Sequence, residues 1–262
     1  MLKEVPEPSR SHRVEVTVIA KALPQVGDKH GETVCVAALD DQRRWYRLYP
    51  VTFRMLAGDQ RFTRWSRVSA KCRVVAPNKD RREESRNVDQ DSIKLIGEMR
   101  AGDRTAFIEK AVVSSTKQER LEGRSLALIK PEEVRFEWKR RSPEAIQERL
   151  AAYQRLASQP DMFGTKPLKP LPPAPYDFFY HYRDGDGPHE CRCHDWEVEQ
   201  TFINWERKYG EARTLELMHD QYGVRYPKEG MAFAMGTHSA YPNVWMIIGV
   251  VKMRPTAQPT LL

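Results

Sequence analysis

Residues 32–54 read ETVCVAALDDQRRWYRLYPVTFR, two largely apolar runs on either side of a short polar turn. The first run, residues 33–39, is rich in the β-branched and small side chains that are typical of a buried strand. Residues 40–43 form the polar turn, and the second run, residues 44–49, combines arginine with aromatic and aliphatic side chains. Two such runs joined by so short a turn predict a β-hairpin.

Strand-like runs continue on both sides of this hairpin. Before it, every second residue from Val14 to Ala20 is apolar, which is the period of a strand. After it, residues 66–75 and 93–96 are further strand candidates, whereas residues 106–113 fit a strand or a helix. Short strands separated by frequent turn signals favour a small antiparallel sheet or barrel.

Positive charge is concentrated in the first half of the chain. The whole sequence has 43 Lys and Arg against 36 Asp and Glu, a formal net charge of +7. Residues 1–142 hold 30 basic and 21 acidic side chains, and the remainder holds 13 and 15. This asymmetry indicates a polyanionic partner for the first half, and a solvated surface of mixed charge is the alternative.

Two clusters in this basic half combine arginine with aromatic side chains. Single-stranded nucleic acid is commonly held in a positive groove whose exposed aromatics stack bases, and a guanidinium group matches a phosphate. The clusters therefore predict a nucleic-acid-binding surface, DNA or RNA, in which arginines grip the backbone and tryptophans stack bases. Its residues are Arg43, Arg44, Trp45, Arg47, Arg61, Arg64, Trp65 and Arg67. Because side chains alternate along a strand, part of each cluster must lie in the core, and both tryptophans are equally well explained as core aromatics.

The hairpin also resembles a pattern known from other proteins. Residues 32–54 are similar to the opening hairpin of OB-like barrel domains, sometimes of the dual-OB type, in uncharacterised bacterial proteins. There a CVA strand, a turn and a W-x-R-L run recur near the N-terminus. The resemblance implies an oligonucleotide-binding barrel, is consistent with a bacterial defence or mobile-element system, and brings no catalytic residue with it.

A helix and a proline-rich segment divide the chain. Residues 131–141 fit a basic connector, and the Ser-Pro-Glu sequence at 142–144 is typical of a helix start. Six prolines between residues 160 and 175 predict an extended linker. The predicted fold class is α+β, with an N-terminal antiparallel OB-like β-barrel, a helical connector and a smaller α+β C-terminal part. The predicted domains are 13–141 (basic, β-rich, OB-like), 142–175 (helix and proline-rich linker) and 176–254 (two helices and closing strands).

The C-terminal part combines strands with helices. Residues 176–182, YDFFYHY, predict an aromatic strand, and residues 231–235 and 244–251 predict the closing strands. Asp195 suits the N-cap of a helix whose apolar face repeats with the helical period. A second helix is predicted over residues 211–221, before the glycine at position 223.

One short segment of the C-terminal part collects the residue types that bind metals. The candidate ligands are His189, Cys191, Cys193 and His194. Zinc takes four such ligands in a tetrahedron, but in an extended segment the first three share a face and His194 points the other way. A site would then need distant ligands, for which His181, His219 and His238 are candidates. The spacing admits either a zinc site or a strand end whose cysteines pack inward.

Asp195 and Glu197 form an alternative acidic site next to this segment. Carboxylates at a strand–helix junction can hold Mg²⁺ for phosphodiester cleavage. Both residues are also explained as a helix cap and a first-turn acid. The main alternative to a binding protein is therefore a metal-dependent nuclease or modified-base enzyme centred on residues 189–197, with Zn or Mg as cofactor.

A third hypothesis is a protein-interaction adaptor that binds its partners through the C-terminal part. Exposure of Phe178, Phe179 and Tyr180 would support it, because large exposed apolar patches mark interfaces. No apolar run reaches the roughly 18–20 residues of a membrane helix, and residues 1–13 lack the apolar core of a secretion signal. We therefore expect a cytoplasmic protein with reduced cysteines and no membrane partner.

Overall fold

The computed structural model describes residues 11–27, 30–158 and 170–253. These residues form two β-sheets with a few helices, which confirms the α+β class. The predicted proline-rich linker lies in part outside the described residues, since residues 159–169 are not among them. No helix in the described ranges is long and apolar enough to cross a membrane.

The first sheet is a ring of strands. Its strands are β1 (His12–Lys21), β2 (Gln25–Gly27), β3 (Gly31–Leu39), β4 (Trp45–Val51), β5 (Ser66–Val74) and β6 (Ser85–Glu98). They pair in the order β1-β5-β6-β4-β3-β2, and β1 also pairs with β3, so five strands close on themselves. The predicted hairpin is confirmed as β3 and β4, with Leu39 opposite Trp45.

The ring corrects the expectation of a purely antiparallel sheet. The pairings β1–β3, β3–β4, β1–β5 and β5–β6 are antiparallel, whereas β4 and β6 run parallel. The reason is geometric, because strand directions cannot alternate all the way around a ring with an odd number of members. Two short 3₁₀ turns, Phe53–Met55 and Gly58–Gln60, carry the chain from β4 towards β5.

The interior of the ring is apolar and is closed at one end by a residue of the second half. Alternate side chains point inward, for example Val16, Val36 and Leu48, which are buried together. Trp196 belongs to the same buried cluster although it is the first residue of a distant helix. Its ring lies edge-on to that of Phe53, with the centroids 5.5 Å apart. The apolar interior of the ring is therefore completed by a tryptophan from the second half of the chain.

The second sheet has seven strands. Its strands are β7 (Val112–Val113), β8 (Leu126–Ile129), β9 (Glu132–Arg140), β10 (Tyr176–Asp184), β11 (Gly187–Cys193), β12 (Met231–His238) and β13 (Tyr241–Lys252). Their order is β7-β8-β12-β13-β11-β10-β9. The helices are α1 (Arg104–Glu109), α2 (Thr116–Leu121), α3 (Pro143–Ser158), α4 (Trp196–Tyr209), α5 (Glu211–Met218) and α6 (Tyr226–Glu229). A π-helical turn, His219–Arg225, joins α5 to α6.

Several predicted elements of this half are confirmed and others are corrected. The Asp195 carboxylate accepts a hydrogen bond from the Glu197 amide and caps α4, as predicted. The basic connector predicted at 131–141 is wrong, because these residues form β9, which pairs with β10. The second helix ends at Met218 rather than at residue 221, where the π-helical turn takes over.

The predicted division into domains is crossed by strand pairing. Residues 13–141 include the ring, apart from His12 at the start of β1, but also β7, β8 and β9 of the second sheet. The predicted smaller C-terminal part, residues 176–254, thus belongs to the larger of the two sheets. The boundaries at 141 and 175 stay a prediction.

The aromatic strand β10 is a core strand. Phe178 and Tyr180 are buried, with their rings against Phe202 of α4 and Phe233 of β12 respectively, and Phe179 is half-buried. The exposure that would support an adaptor function is therefore not found at these three residues, and the adaptor function stays a prediction.

The two sheets share one apolar interface. Ile19, Ala37 and Leu39 of the ring are buried with Leu128 and Ile248 of the second sheet. The contact is close where β1 meets β13, since a Cβ atom added to Gly249 would lie 2.6 Å from that of Ala20. The outer face of β3, β4 and the C-terminal end of β1 is therefore covered by the second sheet. The N-terminal end of β1 lies beside β5, whose outer face, like that of β6, is elsewhere on the ring.

Candidate nucleic-acid interface

Arg47 of the predicted surface lies in the covered interface. It is 4% exposed, and its guanidinium donates to the carbonyl and hydroxyl oxygens of Ser125 at 2.8 and 3.0 Å. The buried Glu84 carboxylate accepts hydrogen bonds from the same serine at 2.7 and 3.0 Å. Its neighbour Trp45 is half-buried against the shared core. Arg47 thus joins the ring to the second sheet, which corrects its predicted role in gripping phosphate.

Arg64 meets the alternative acidic site. Its guanidinium lies 2.8 Å from Asp195 Oδ2 and 3.0 Å from Glu197 Oε2, and it also donates to the carbonyl of Val250. The side chains of Arg64 and Asp195 are 10% and 1% exposed. Burial opposes the charged form of Arg64, but the two carboxylates outweigh burial and raise its pKa. The arginine predicted to bind nucleic acid and the acids predicted to bind metal neutralise one another.

The carboxylate of Asp195 has no free oxygen in this arrangement. Its Oδ1 accepts the Glu197 amide at 2.9 Å, and its Oδ2 accepts the Val250 amide at 2.7 Å as well as Arg64. Burial raises the pKa of this carboxyl, and the Arg64 guanidinium opposes that shift. A buried acid used in this way caps α4 and fixes it to β13 and to the ring.

Trp65 is also part of the covered interface. The residue is 7% exposed and packs in the shared core. Its backbone adopts a φ of 74°, where its amide donates to Val18 at 2.8 Å and its carbonyl accepts from Met99 at 2.9 Å. The Arg104 guanidinium lies over the ring, 5.5 Å from its centroid. This corrects the expectation that Trp65 presents a face on which bases stack.

The other four predicted arginines lie nearer the solvent. Arg43 donates to the carbonyl of Phe107 at 2.7 Å and lies over that residue's ring. Arg44 and Arg61 are exposed, and Arg44 is paired with Asp40 at 2.7 Å. Arg67 is partly exposed on β5. Arg44, Arg61 and Arg67 are therefore the predicted arginines that a large ligand can reach.

The predicted metal ligands lie along β11. As expected for a strand, His189, Cys191 and Cys193 alternate with exposed residues on one face. His189 Nε2 is 2.7 Å from Asp184 Oδ1, and the Cys191 sulfur is 3.7 Å from the carbonyl of Trp245. Burial raises the pKa of both cysteines, which favours the thiol over the thiolate that binds metal.

His194 is held away from those three residues. Its backbone bridges β13 and the ring, donating to Ile247 at 2.6 Å and accepting from Leu23 at 2.9 Å. Burial lowers the pKa of the imidazole to about 4. Within residues 11–27, 30–158 and 170–253, no three His, Cys, Asp or Glu side chains lie together as metal ligands would. The zinc and magnesium sites stay predictions.

An exposed basic surface lies on the part of the ring that the second sheet leaves uncovered. Four exposed cations from neighbouring strands form this surface, called the basic stripe here: Arg13, Lys71, Arg73 and Lys94. Arg13 lies opposite Lys71 across β1 and β5, and Lys94 lies opposite Ser69 across β5 and β6. Among the residues that the structure describes, none of the four is ion-paired. Acids on the same face include Glu15 and Asp89, and Asp41 pairs with Arg67 at 3.4 Å.

The basic stripe was not among the predicted binding residues, although the sequence carries a signal for it. Residues 67–74 read RVSAKCRV, in which polar and basic side chains alternate strictly with small apolar ones. In the structure Val68, Ala70 and Cys72 are buried in the ring interior, so Lys71 and Arg73 must face out. The period-2 pattern identifies the outward cations, and no aromatic residue is needed to find them.

Comparison with protein families divides the chain in two. The chain belongs to the family DUF8757, described as a domain of unknown function. The model of this family matches residues 109–261. A second model, DUF8758, also a domain of unknown function, matches residues 12–114. The DUF8758 match contains the ring and the DUF8757 match contains the seven-stranded sheet.

Two further comparisons concern individual proteins. No curated protein matches the sequence. Among solved structures, the chain is similar to a chain of a replication protein A heterotrimer bound to single-stranded DNA, with 9% identity and a TM-score of 0.35. The match covers 90% of this chain and 46% of the replication protein chain, so this chain spans about half the length of that chain.

Proposed function

We propose that the protein binds nucleic acid on the uncovered outer face of its ring, through the basic stripe. The observation that carries the proposal is the placement of four exposed cations, none with an ion-pair partner in the described ranges, on three adjacent strands. Arg13 donates a hydrogen bond to the Ser69 hydroxyl at 2.9 Å, but among the described residues none of the four cations has the buried, multiple contacts of Arg47 or Arg64.

The geometry of a sheet makes such a set a continuous positive surface. Neighbouring strands lie about 4.8 Å apart, and alternate residues of one strand lie about 6.8 Å apart. The four cations are thus close enough to act together on a polyanion, whose phosphates dominate the affinity of most nucleic-acid-binding proteins. Arg67 extends the surface along β5. The excess of basic over acidic side chains in residues 1–142 also favours a polyanionic ligand.

The proposal includes an OB-like fold for the ring. Five strands close by the β1–β3 pairing, and the single parallel contact between β4 and β6 is what such a closed five-stranded arrangement requires. The resemblance of residues 32–54 to OB-like hairpins supports the same assignment. A role in a bacterial defence or mobile-element system, and the nuclease and adaptor alternatives, stay predictions that no contact in the described structure favours.

The test is a fluorescence-anisotropy titration with single-stranded and duplex DNA and RNA at several salt concentrations. The variant R13S/K71S/R73S/K94S removes the stripe. A matched control, K130S/K139S/R207S/K228S, removes four exposed cations outside the ring and changes the net charge equally. Each phosphate contact contributes about 0.9 to the salt slope for duplex DNA and about 0.7 for single strands.

We expect the wild type and the control to bind in a salt-sensitive manner, and the stripe variant to lose about 3 units of slope together with most of its affinity. Equal losses in the two quadruple variants would show that only net charge matters. Absence of binding to all four nucleic acids, or affinity that does not change with salt, would overturn the proposal.

A further inference from the structure

The β12–β13 hairpin ends in a tip with large exposed apolar side chains. The tip, residues 238–244, carries Tyr241, which is 66% exposed, and Val244, which is 56% exposed. The rings of His238 and Tyr241 lie 6.0 Å apart. Most other aromatic residues of this half are buried in its core, so an exposed tyrosine at the end of a hairpin has no role in packing the fold.

The tip lies beside the loop that joins β5 to β6. Arg82 of this loop donates to the carbonyl of Thr237, the residue before the tip, at 2.8 Å. The same guanidinium is held by both carboxylate oxygens of Asp80 at 2.8 and 2.7 Å, and its side chain is 17% exposed. A partly buried, doubly bound arginine therefore fixes the loop against the hairpin.

The loop connects the tip to the basic stripe. It begins after Val74, the residue that follows Arg73, and contains Lys79 and Arg81, both exposed and, among the described residues, without an ion-pair partner. The stripe is therefore followed along the chain by the loop cations, and the loop is fixed beside the hairpin that carries the exposed aromatic ring. Basic residues that follow a backbone and an aromatic ring at one end are the two components of single-strand recognition.

We propose that Tyr241 stacks an unpaired base of a single strand whose backbone lies on the loop cations and the basic stripe. This inference rests on the proposed function and adds to it a preference for single strands. A base inside a duplex is already stacked between its neighbours and offers no face to the tyrosine, whereas an unpaired base does. Stacking of this kind tolerates any base, so little sequence preference is expected.

The experiment compares Y241A with Y209A in the full chain. Tyr209 is a matched control because it is 43% exposed at the end of α4 and has a lysine, Lys208, over its ring. A single-stranded oligonucleotide with one 2-aminopurine reports stacking by its fluorescence, and anisotropy reports affinity. A third variant, Y241W, retains an aromatic face.

We expect Y241A to weaken single-strand binding by about 5- to 150-fold and to abolish the 2-aminopurine change, while duplex binding stays the same. Y209A and Y241W should behave like the wild type. If Y241A binds single strands as tightly as the wild type while the stripe variant does not, the inference is wrong and the proposed function stands. If the wild type binds no nucleic acid, both fail.

Discussion

The ring presents basic side chains on two faces, and their surroundings are opposite on the two. On the covered face, Arg47 and Arg64 are buried and bound to specific acceptors of the second half. On the uncovered face, Lys71 and Arg73 are exposed on β5. A buried arginine contributes to the free energy of unfolding, because its removal leaves the buried partner without a hydrogen bond or counter-ion. An exposed basic side chain contributes little to stability and is available to a ligand.

The largest effect expected from this comparison is on the covered face. R64A leaves the Asp195 carboxylate buried without its counter-ion, so the free energy of unfolding should fall by about 3–5 kcal/mol. Urea unfolding followed by circular dichroism measures the change. R61A, an exposed arginine three residues away, should stay within about 0.5 kcal/mol of the wild type. Equal stabilities for the two variants would show that the covered face is not what holds the halves together.

A second change tests how tightly the two halves approach. G249A places a methyl group 2.6 Å from the Cβ of Ala20, where neither backbone can move without separating β1 from β13. Overpacking of this kind should cost about 1–3 kcal/mol in the same unfolding measurement. G102A, whose added methyl meets nothing within 4 Å, is the control. A neutral G249A would contradict a close interface at this point.

The covered side should also respond to pH. Burial holds the pKa of His194 at about 4, below the usual 6.5, so the unfolded chain takes up a proton before the folded one as the pH falls. Stability from this residue is complete above pH 6.5 and is lost towards pH 4, with about 2 kcal/mol lost between pH 7 and 5. Unfolding at several pH values should show a shallower dependence for H194Q. If H194Q loses stability with falling pH as the wild type does, the pH dependence comes from other titratable groups.

The smallest effect on stability is expected on the uncovered face. K71A should leave the free energy of unfolding within about 0.5 kcal/mol of the wild type, because an exposed, unpaired lysine contributes little. It should nevertheless lower the salt slope of nucleic-acid binding by about 0.7–0.9. K130A, outside the ring, should change neither quantity. A destabilised K71A with an unchanged slope would reverse the assigned roles of the two faces.

Local patterns in the sequence were sufficient for several elements. The β3–β4 hairpin followed from two apolar runs and a polar turn, and α4 followed from Asp195 and an apolar stripe at helical spacing. Strand β9 was missed because its sequence, EEVRFEWKR, is mostly charged, and only Val134, Phe136 and Trp138 show the period of a strand. The hairpin and α4 were predictable because residues close in sequence determine them. In β9 the charged residues obscure the same kind of local pattern.

The site could be predicted only in part, for a physical reason. Arg47 and Arg73 both lie on ring strands whose inward side is apolar, and nothing near either residue shows which outer face is covered. That is determined by Ser125, Ile248 and other residues far away in the sequence. The prediction therefore identified a basic ring and placed part of its exposed surface on the wrong strands.

Trp196, which completes the ring interior, is synthesised after every strand of the ring. The ribosome completes all strands of the ring before it adds the tryptophan that closes the ring interior, and Arg64 is separated from Asp195 by 131 positions. Translation at about 5–20 residues per second leaves the nascent ring open, with an unpaired arginine, for several seconds. During that interval the ring interior lacks the tryptophan that completes it, and Arg64 lacks the carboxylate that it binds in the folded protein.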